Sequence, residues 1–414
     1  MKKTLLTVCV SLMIFLSACN DDNDSKGKNS TPTIPENNTI PENNIENPVV
    51  FTESYAKTDM SAVADESLIL TYRMLGVKNS EVQATSLVFT PKGTPPVEGW
   101  PIVVWAHGTT GVADSCAPSR DTIGSDIKKM MTQLLKKGYV VVAPDYEGLG
   151  EPLGQELHPF LNVKSEAYSI TDAVVAARAY LGDKVNKKWV TVGHSQGGQA
   201  ALGAAQYASR AKLDYKGTVA VAPASNLDFI LTTEEASVAD KSTSEQIPVY
   251  ASLDSFTALI TAGLRNANPD LMYTQIFKEP TAEIAQTAED KCLAPLALSI
   301  TTSMTSHARK NGDLSNYGRT QDGFLDIPVV KNFTTKEGQP LTVKVDTPVI
   351  IYQGTDDTTI PKYATDKLIE SATEKGTRIQ YKTDEDSPTK WGHITAYSLN
   401  IDSIVADVET MFSQ

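Results

Sequence analysis

The pentapeptide Gly193-His194-Ser195-Gln196-Gly197 constrains this chain more than any other feature. It follows an apolar run, residues 189–192, and opens a stretch of good helix formers (Ala, Leu and Gln) over residues 196–209. A G-x-S-x-G on a strand–turn–helix bends so tightly that its serine is forced into strained dihedrals. Glycines two positions either side remove the side chains that would collide. The Ser195 hydroxyl is then expected at the C-terminal edge of a sheet, beside the start of a helix.

The rest of the chain supplies that sheet. Residues 67–75 and 82–90 read as strands, with Pro91-Lys92-Gly93 as a breaker. Short apolar runs at 102–106, 139–143, 218–222 and 349–352 each end in Gly, Pro or a polar turn, and a last strand reads over 378–382. Fully apolar strands of this length suit a parallel sheet covered on both faces. Ala167, Ile170, Val174, Ala177 and Leu181 lie at helical spacing between two of them. Strand alternating with helix implies an α/β fold with a doubly wound, mostly parallel sheet. Residues 226–345 break the rhythm. That interval is too long for a crossover and reads as an inserted subdomain.

A serine alcohol is a weak nucleophile without a base, so a histidine and a carboxylate are needed. Where G-x-S-x-G marks the nucleophile they follow it as acid, then histidine. His307 and His393 are the histidines after Ser195. His307 falls in the insertion, whereas His393 sits in Trp391-Gly392-His393, after the last strand and before a C-terminal helix pattern; His393 is the expected base. The acid should lie just past the 349–352 strand, where Asp356 and Asp357 both stand. Oxyanion donors are expected from the N–H of Gln196 and from the loop His107-Gly108-Thr109-Thr110-Gly111, with Thr109 the choice and Gly108 the runner-up. His107, His158 and His194 read as structural. The chemistry needs no metal or organic cofactor, and no ligand cluster suggests one.

Together these residues resemble an α/β-hydrolase. Gly354-Thr355-Asp356-Asp357-Thr358-Thr359-Ile360-Pro361 is similar to the G-x-x-D-x-x-V-P common there, and that spacing selects Asp357. More closely, the chain resembles bacterial relatives of the secretory lipase (Candida lipase A-like) family. The likeness rests on the 107–111 loop, Cys116-Ala117-Pro118-Ser119, Asp145-Tyr146-Glu147-Gly148-Leu149-Gly150, His158-Pro159-Phe160-Leu161, Ser165-Glu166-Ala167 and the pentapeptide with Gly198. The resemblance implies a carboxylic ester hydrolase (esterase or triacylglycerol lipase-like) with a helical lid, which agrees with the insertion. A serine peptidase or other acyl hydrolase on the same triad, and a non-catalytic surface binding protein on this scaffold, are the competing readings.

Residues 1–19 read as a targeting segment: Lys2 and Lys3, then a short apolar stretch, then Leu16-Ser17-Ala18-Cys19. The ending resembles a bacterial lipobox, which implies acylation of Cys19 and an exported protein held to a membrane by lipid, with the outer membrane favoured because Asn20 follows. Residues 20–48 hold 8 Asn, 4 Pro and no aromatic, and Thr33 to Asn38 repeats as Thr39 to Asn44. Such a segment cannot offset its ordering entropy and reads as a tether. The expected organisation is therefore 1–19 signal, 20–48 tether, 49–225 with 346–414 as hydrolase core, and 226–345 as lid. After residue 19 no apolar run approaches the ~18 residues of a membrane span. A formal charge of −13 without a basic stripe argues against a nucleic-acid partner. The expected partner is a small-molecule or lipid ester; the oligomeric state is not legible. Processing leaves Cys116 and Cys292, an even pair that in an oxidising compartment predicts one disulfide, against two unrelated thiols.

Overall fold

The structure, a computed structural model, describes residues 40–154 and 156–414. The expected signal segment and Cys19 lie outside them. Among the described residues nine strands form one sheet: β1 (Val49–Ser54), β2 (Ala64–Leu75), β3 (Glu81–Pro91), β4 (Trp100–Ala106), β5 (Val140–Pro144), β6 (Val185–His194), β7 (Asp214–Val221), β8 (Val349–Gln353) and β9 (Ile379–Thr383). Their order is β1-β2-β3-β5-β4-β6-β7-β8-β9. The pairings from β1 to β5 are antiparallel, and those from β5 onward are parallel. This is the α/β-hydrolase fold.

Sequence pattern anticipated eight of the strands and missed β1. That strand pairs only with β2 and leaves most of its side chains in solvent, so it carries no core periodicity. The expected tether also ends earlier than residue 48. Asn43 donates to Asp172 at 2.8 Å, and Arg210 Nη1 donates to the Pro41 carbonyl at 2.8 Å. Arg210 and Asp172 are both buried and paired with each other. Their charges hold residues 40–48 where apolar content could not.

Helices cover both faces. On one lie α2 (Val163–Leu181) and α3 (Gln196–Tyr207), and on the other α1 (Ser125–Lys136). The expected face of α2 is buried throughout, packed with α3 against the sheet. Met130, Met131 and Leu134 of α1 pack on the reverse face with the C-terminal helix.

Between β7 and β8 come α4 (Leu227–Ser237), α5 (Thr243–Ala267), α6 (Tyr273–Ile276), α7 (Thr281–Gln286), α8 (Leu293–Asn311) and α9 (Pro328–Asn332). Their apolar side chains share one cluster with Val112, Phe160, Leu161 and Ala224 from the loops of the sheet. By length and composition α5 could cross a membrane, which the sequence expectation overlooked; 67% of its apolar window is buried. Ser242 and Glu245 cap it reciprocally, and Pro248, its sixth residue, removes one intrahelical hydrogen bond near its start. After β8 come α10 (Lys362–Glu374), α11 (Thr395–Ser398) and α12 (Ile401–Ser413).

Candidate active site

Ser195 stands between β6 and α3 at φ 59°, ψ −120°, a left-handed backbone that side chains avoid. Its neighbours explain how the turn closes. A Cβ on Gly193 would lie 1.9 Å from the Gly197 carbonyl oxygen, and one on Gly197 would lie 1.9 Å from that of Ala106. The Ser195 N–H donates to the Val221 carbonyl at 2.9 Å, and its carbonyl accepts from Ala224 at 3.2 Å. The elbow is thus tied to β7 as well as to its own strand.

His393 reaches Ser195 from the loop after β9. Its Nε2 lies 2.9 Å from Ser195 Oγ, and its Nδ1 lies 2.8 Å from Asp357 Oδ2. Asp357 is buried, and its Oδ1 accepts from the Thr359 and Ile360 amides at 2.9 Å each. With Nδ1 engaged as a donor, Nε2 is left to accept the serine proton. Asp356 is exposed, and His307 lies on α8 with Nε2 donating to the Ser315 carbonyl at 2.9 Å. Gly354 lets the His393 loop approach: a Cβ there would meet the Trp391 carbonyl oxygen at 2.0 Å.

His194 steadies the same loop. It donates Nε2–H to the His393 carbonyl at 2.8 Å and packs between the His393 and Tyr397 rings. Burial, and then the nearby His393, push its pKa down to about 3, so it stays neutral. His107 stacks on Tyr146 at 4.3 Å, and the Tyr146 hydroxyl donates to the His107 carbonyl at 3.0 Å, bracing the 107–111 loop.

Gln196 is the first residue of α3, so its amide has no acceptor within the helix. It lines a cavity together with Ser195 and Thr109. The Gln196 side chain is held from behind: Nε2 lies 2.8 Å from Glu166 Oε1 and 2.7 Å from His158 Nε2. His158 donates its Nδ1–H to the Glu147 carbonyl at 2.8 Å, and burial pushes its pKa down to about 3. Burial pushes the Glu166 carboxyl up to about 8. Sequence reasoning gave Glu166 no role. The available signal was a glutamate one position from the apolar face of a helix buried on nearly every side.

Glu166 carries a pH signature. Its carboxyl holds a proton more tightly folded than unfolded, so its contribution to stability is complete below pH 4.5 and is lost as pH rises towards 8. His158 and His194 act oppositely, but their effect is complete by about pH 6.5. From about pH 6.5 to 8 the Glu166 term therefore stands clear of theirs, joined there by Glu147, whose carboxyl burial pushes up to about 7. Stability from urea unfolding should fall across that window, and Glu166→Gln should flatten the fall. An equal slope in both proteins would refute the account.

Cys116 and Cys292 form a disulfide with Cα atoms 5.4 Å apart. Beside it, the Leu293 amide donates to the Thr110 carbonyl at 2.8 Å. A Cβ on Gly111 would lie 2.6 Å from Cys116 Sγ, so glycine makes room for the bridge. The bridge joins the segment just after the Thr109 loop to the start of α8. Mild reduction is expected to change turnover or acyl preference under conditions where circular dichroism reports an intact sheet. Activity lost only together with the fold would contradict this.

Two cavities meet at Ser195. One, of about 260 Å³, is bordered by Gln196, Leu161 and residues of α4 and α5. The other, of about 990 Å³, is bordered by His393, Ile394 and the disulfide. Thr109, Ser195, Pro248, Ser252, Phe256 and Thr359 border both.

The sequence matches the family model described as secretory lipase over residues 119–413. No curated protein matches it by sequence. Among solved structures, Candida antarctica lipase A in its closed state is 17% identical with a TM-score of 0.66, covering 89% of this chain and 83% of that one. The rice cell wall degrading esterase LipA from Xanthomonas oryzae is 18% identical with a TM-score of 0.63, covering 89% and 99%.

Proposed function

Since the chain belongs to the secretory lipase family and is a carboxylic ester hydrolase, we propose that it works through an acyl-enzyme on Ser195. The observation that carries this reading is the continuous hydrogen-bond chain Ser195–His393–Asp357. Ser195 Oγ attacks the ester carbonyl carbon while His393 Nε2 takes its proton. Asp357 holds the Nδ1–H and stabilises the cation that forms. The oxyanion of the tetrahedral intermediate accepts from the Thr109 and Gln196 amides. Collapse breaks the bond to the alcohol oxygen, which leaves with the proton from His393. Water then attacks the acyl-enzyme and gives a proton to His393; collapse breaks the bond to Ser195 Oγ, which takes that proton back from Nε2 as the acid leaves.

On this reading 49–225 and 346–414 are the catalytic core, extended at the front by 40–48, and 226–345 is a lid. Support for the lid comes from the α4 and α5 side chains that border Ser195's narrow cavity. Family membership and the disulfide favour an exported protein; the proposed anchor is Cys19. The decisive test is labelling of the full chain with a fluorophosphonate, followed by peptide mapping. The label should fall on Ser195. A protein that hydrolyses esters without taking the label would overturn the mechanism.

A further inference from the structure

The two cavities differ in what they border, and the chemistry assigns them. The alcohol oxygen must receive its proton from His393 Nε2, so the alcohol lies on the His393 side. His393 borders the 990 Å³ cavity and is absent from the lining of the 260 Å³ one. The narrow cavity instead borders Gln196, and shares Thr109 with the wide one. With the alcohol on the His393 side, the acyl chain, the other carbon substituent of the carbonyl, takes the narrow cavity. Pro248, Ser252 and Phe256, spaced by four along α5, form the partition between the two.

The narrow cavity lies below the ~300–1,000 Å³ usual for small-molecule sites, and the wide one at its upper end. Leu227, Ile230, Leu231 and Glu234 face the narrow cavity from one side of α4. The helix starts close behind Ser195, whose carbonyl accepts from Ala224. Glu234 comes seven residues after Leu227, about 10 Å along the axis. It places a carboxylate in an otherwise mostly apolar wall, with Oε1 accepting from the Tyr363 hydroxyl at 2.6 Å. A methylene chain that reached it would strip water from a charge without offering a hydrogen bond in return.

Building on the acyl-enzyme reading, we propose that this protein is an esterase for short acyl groups on large alcohols, and that Glu234 sets the acyl limit. The test uses the full chain with nitrophenyl acetate, butyrate, octanoate and palmitate. In the unaltered enzyme kcat/KM should fall roughly tenfold or more from butyrate to octanoate, since each methylene at a pocket's limit carries an effect of that size. Glu234→Leu should recover roughly tenfold on octanoate and leave acetate nearly unchanged. Leu231→Trp, which fills the narrow cavity, should spare acetate and suppress butyrate. Ala297→Trp, on the wall of the wide cavity, should suppress esters of bulky alcohols without moving the acyl profile. An octanoate rate equal to that on butyrate, or an acyl profile moved by Ala297→Trp but not by Glu234→Leu and Leu231→Trp, would overturn the assignment. Absence of fluorophosphonate labelling at Ser195 would instead locate the failure in the nucleophile.

Discussion

Ser195→Ala is expected to lower ester hydrolysis by at least on the order of 10⁴, measured as kcat on a soluble nitrophenyl ester. The size follows from the way the parts depend on one another. Without Oγ, His393 has no proton to accept and Asp357 no cation to stabilise. What remains is the pair of amides at Gln196 and Thr109 and the binding cavities, which together give only a residual rate above that of water. The substitution should also be structurally mild. The elbow is fixed by the Gly193 and Gly197 close approaches and by the amide bond to Val221, none of which uses the hydroxyl. Near-unaltered turnover in a purified, folded Ser195→Ala protein would end the proposed mechanism.

Asp357→Asn should cost about 10³- to 10⁴-fold in kcat, while Asp356→Asn should stay within about twofold. The two neighbours differ by burial and by partner. Asp357 accepts the His393 Nδ1–H and two backbone amides, whereas Asp356 points to solvent. An amide at 357 can present its NH₂ to Nδ1, which stabilises the tautomer whose proton sits on Nε2, the wrong nitrogen for a base. Rates for both variants on one ester, at a pH where the unaltered enzyme is fully active, decide the matter. Greater damage from Asp356→Asn would move the acid to that residue.

How much of this was legible in the sequence varies with the physics behind each part. The elbow was legible because its geometry admits no side chain at 193 or 197, and such a constraint is written directly in glycine. The parallel strands were legible because burial on both faces leaves unbroken apolar runs. Residues whose roles depend on distant partners were not. Glu166 acts through Gln196, thirty positions away, and Glu234 through a cavity whose other walls come from five separate segments. Residues 40–48 looked like more of the tether because their attachment is ionic and polar, and composition records only their lack of apolar surface. The edge strand β1 was missed for a similar reason: most of its side chains face water.

The attachment of residues 40–48 also sets an order in time. Asn43 and Pro41 bind Asp172 and Arg210, so the first described segment cannot dock until the chain has grown past residue 210. At about 5–20 residues per second, that delay is on the order of ten to thirty seconds of synthesis. Throughout it Asp172, once made, lacks the cation that later lies 2.7 Å away. The Cys116 thiol waits longer, for Cys292, and Ser195 longer still, for His393. On the proposed mechanism a stalled or shortened chain therefore ends as an uncapped sheet with an idle serine, not as a weakly active enzyme, and hydrolysis begins only when nearly the whole polypeptide is present.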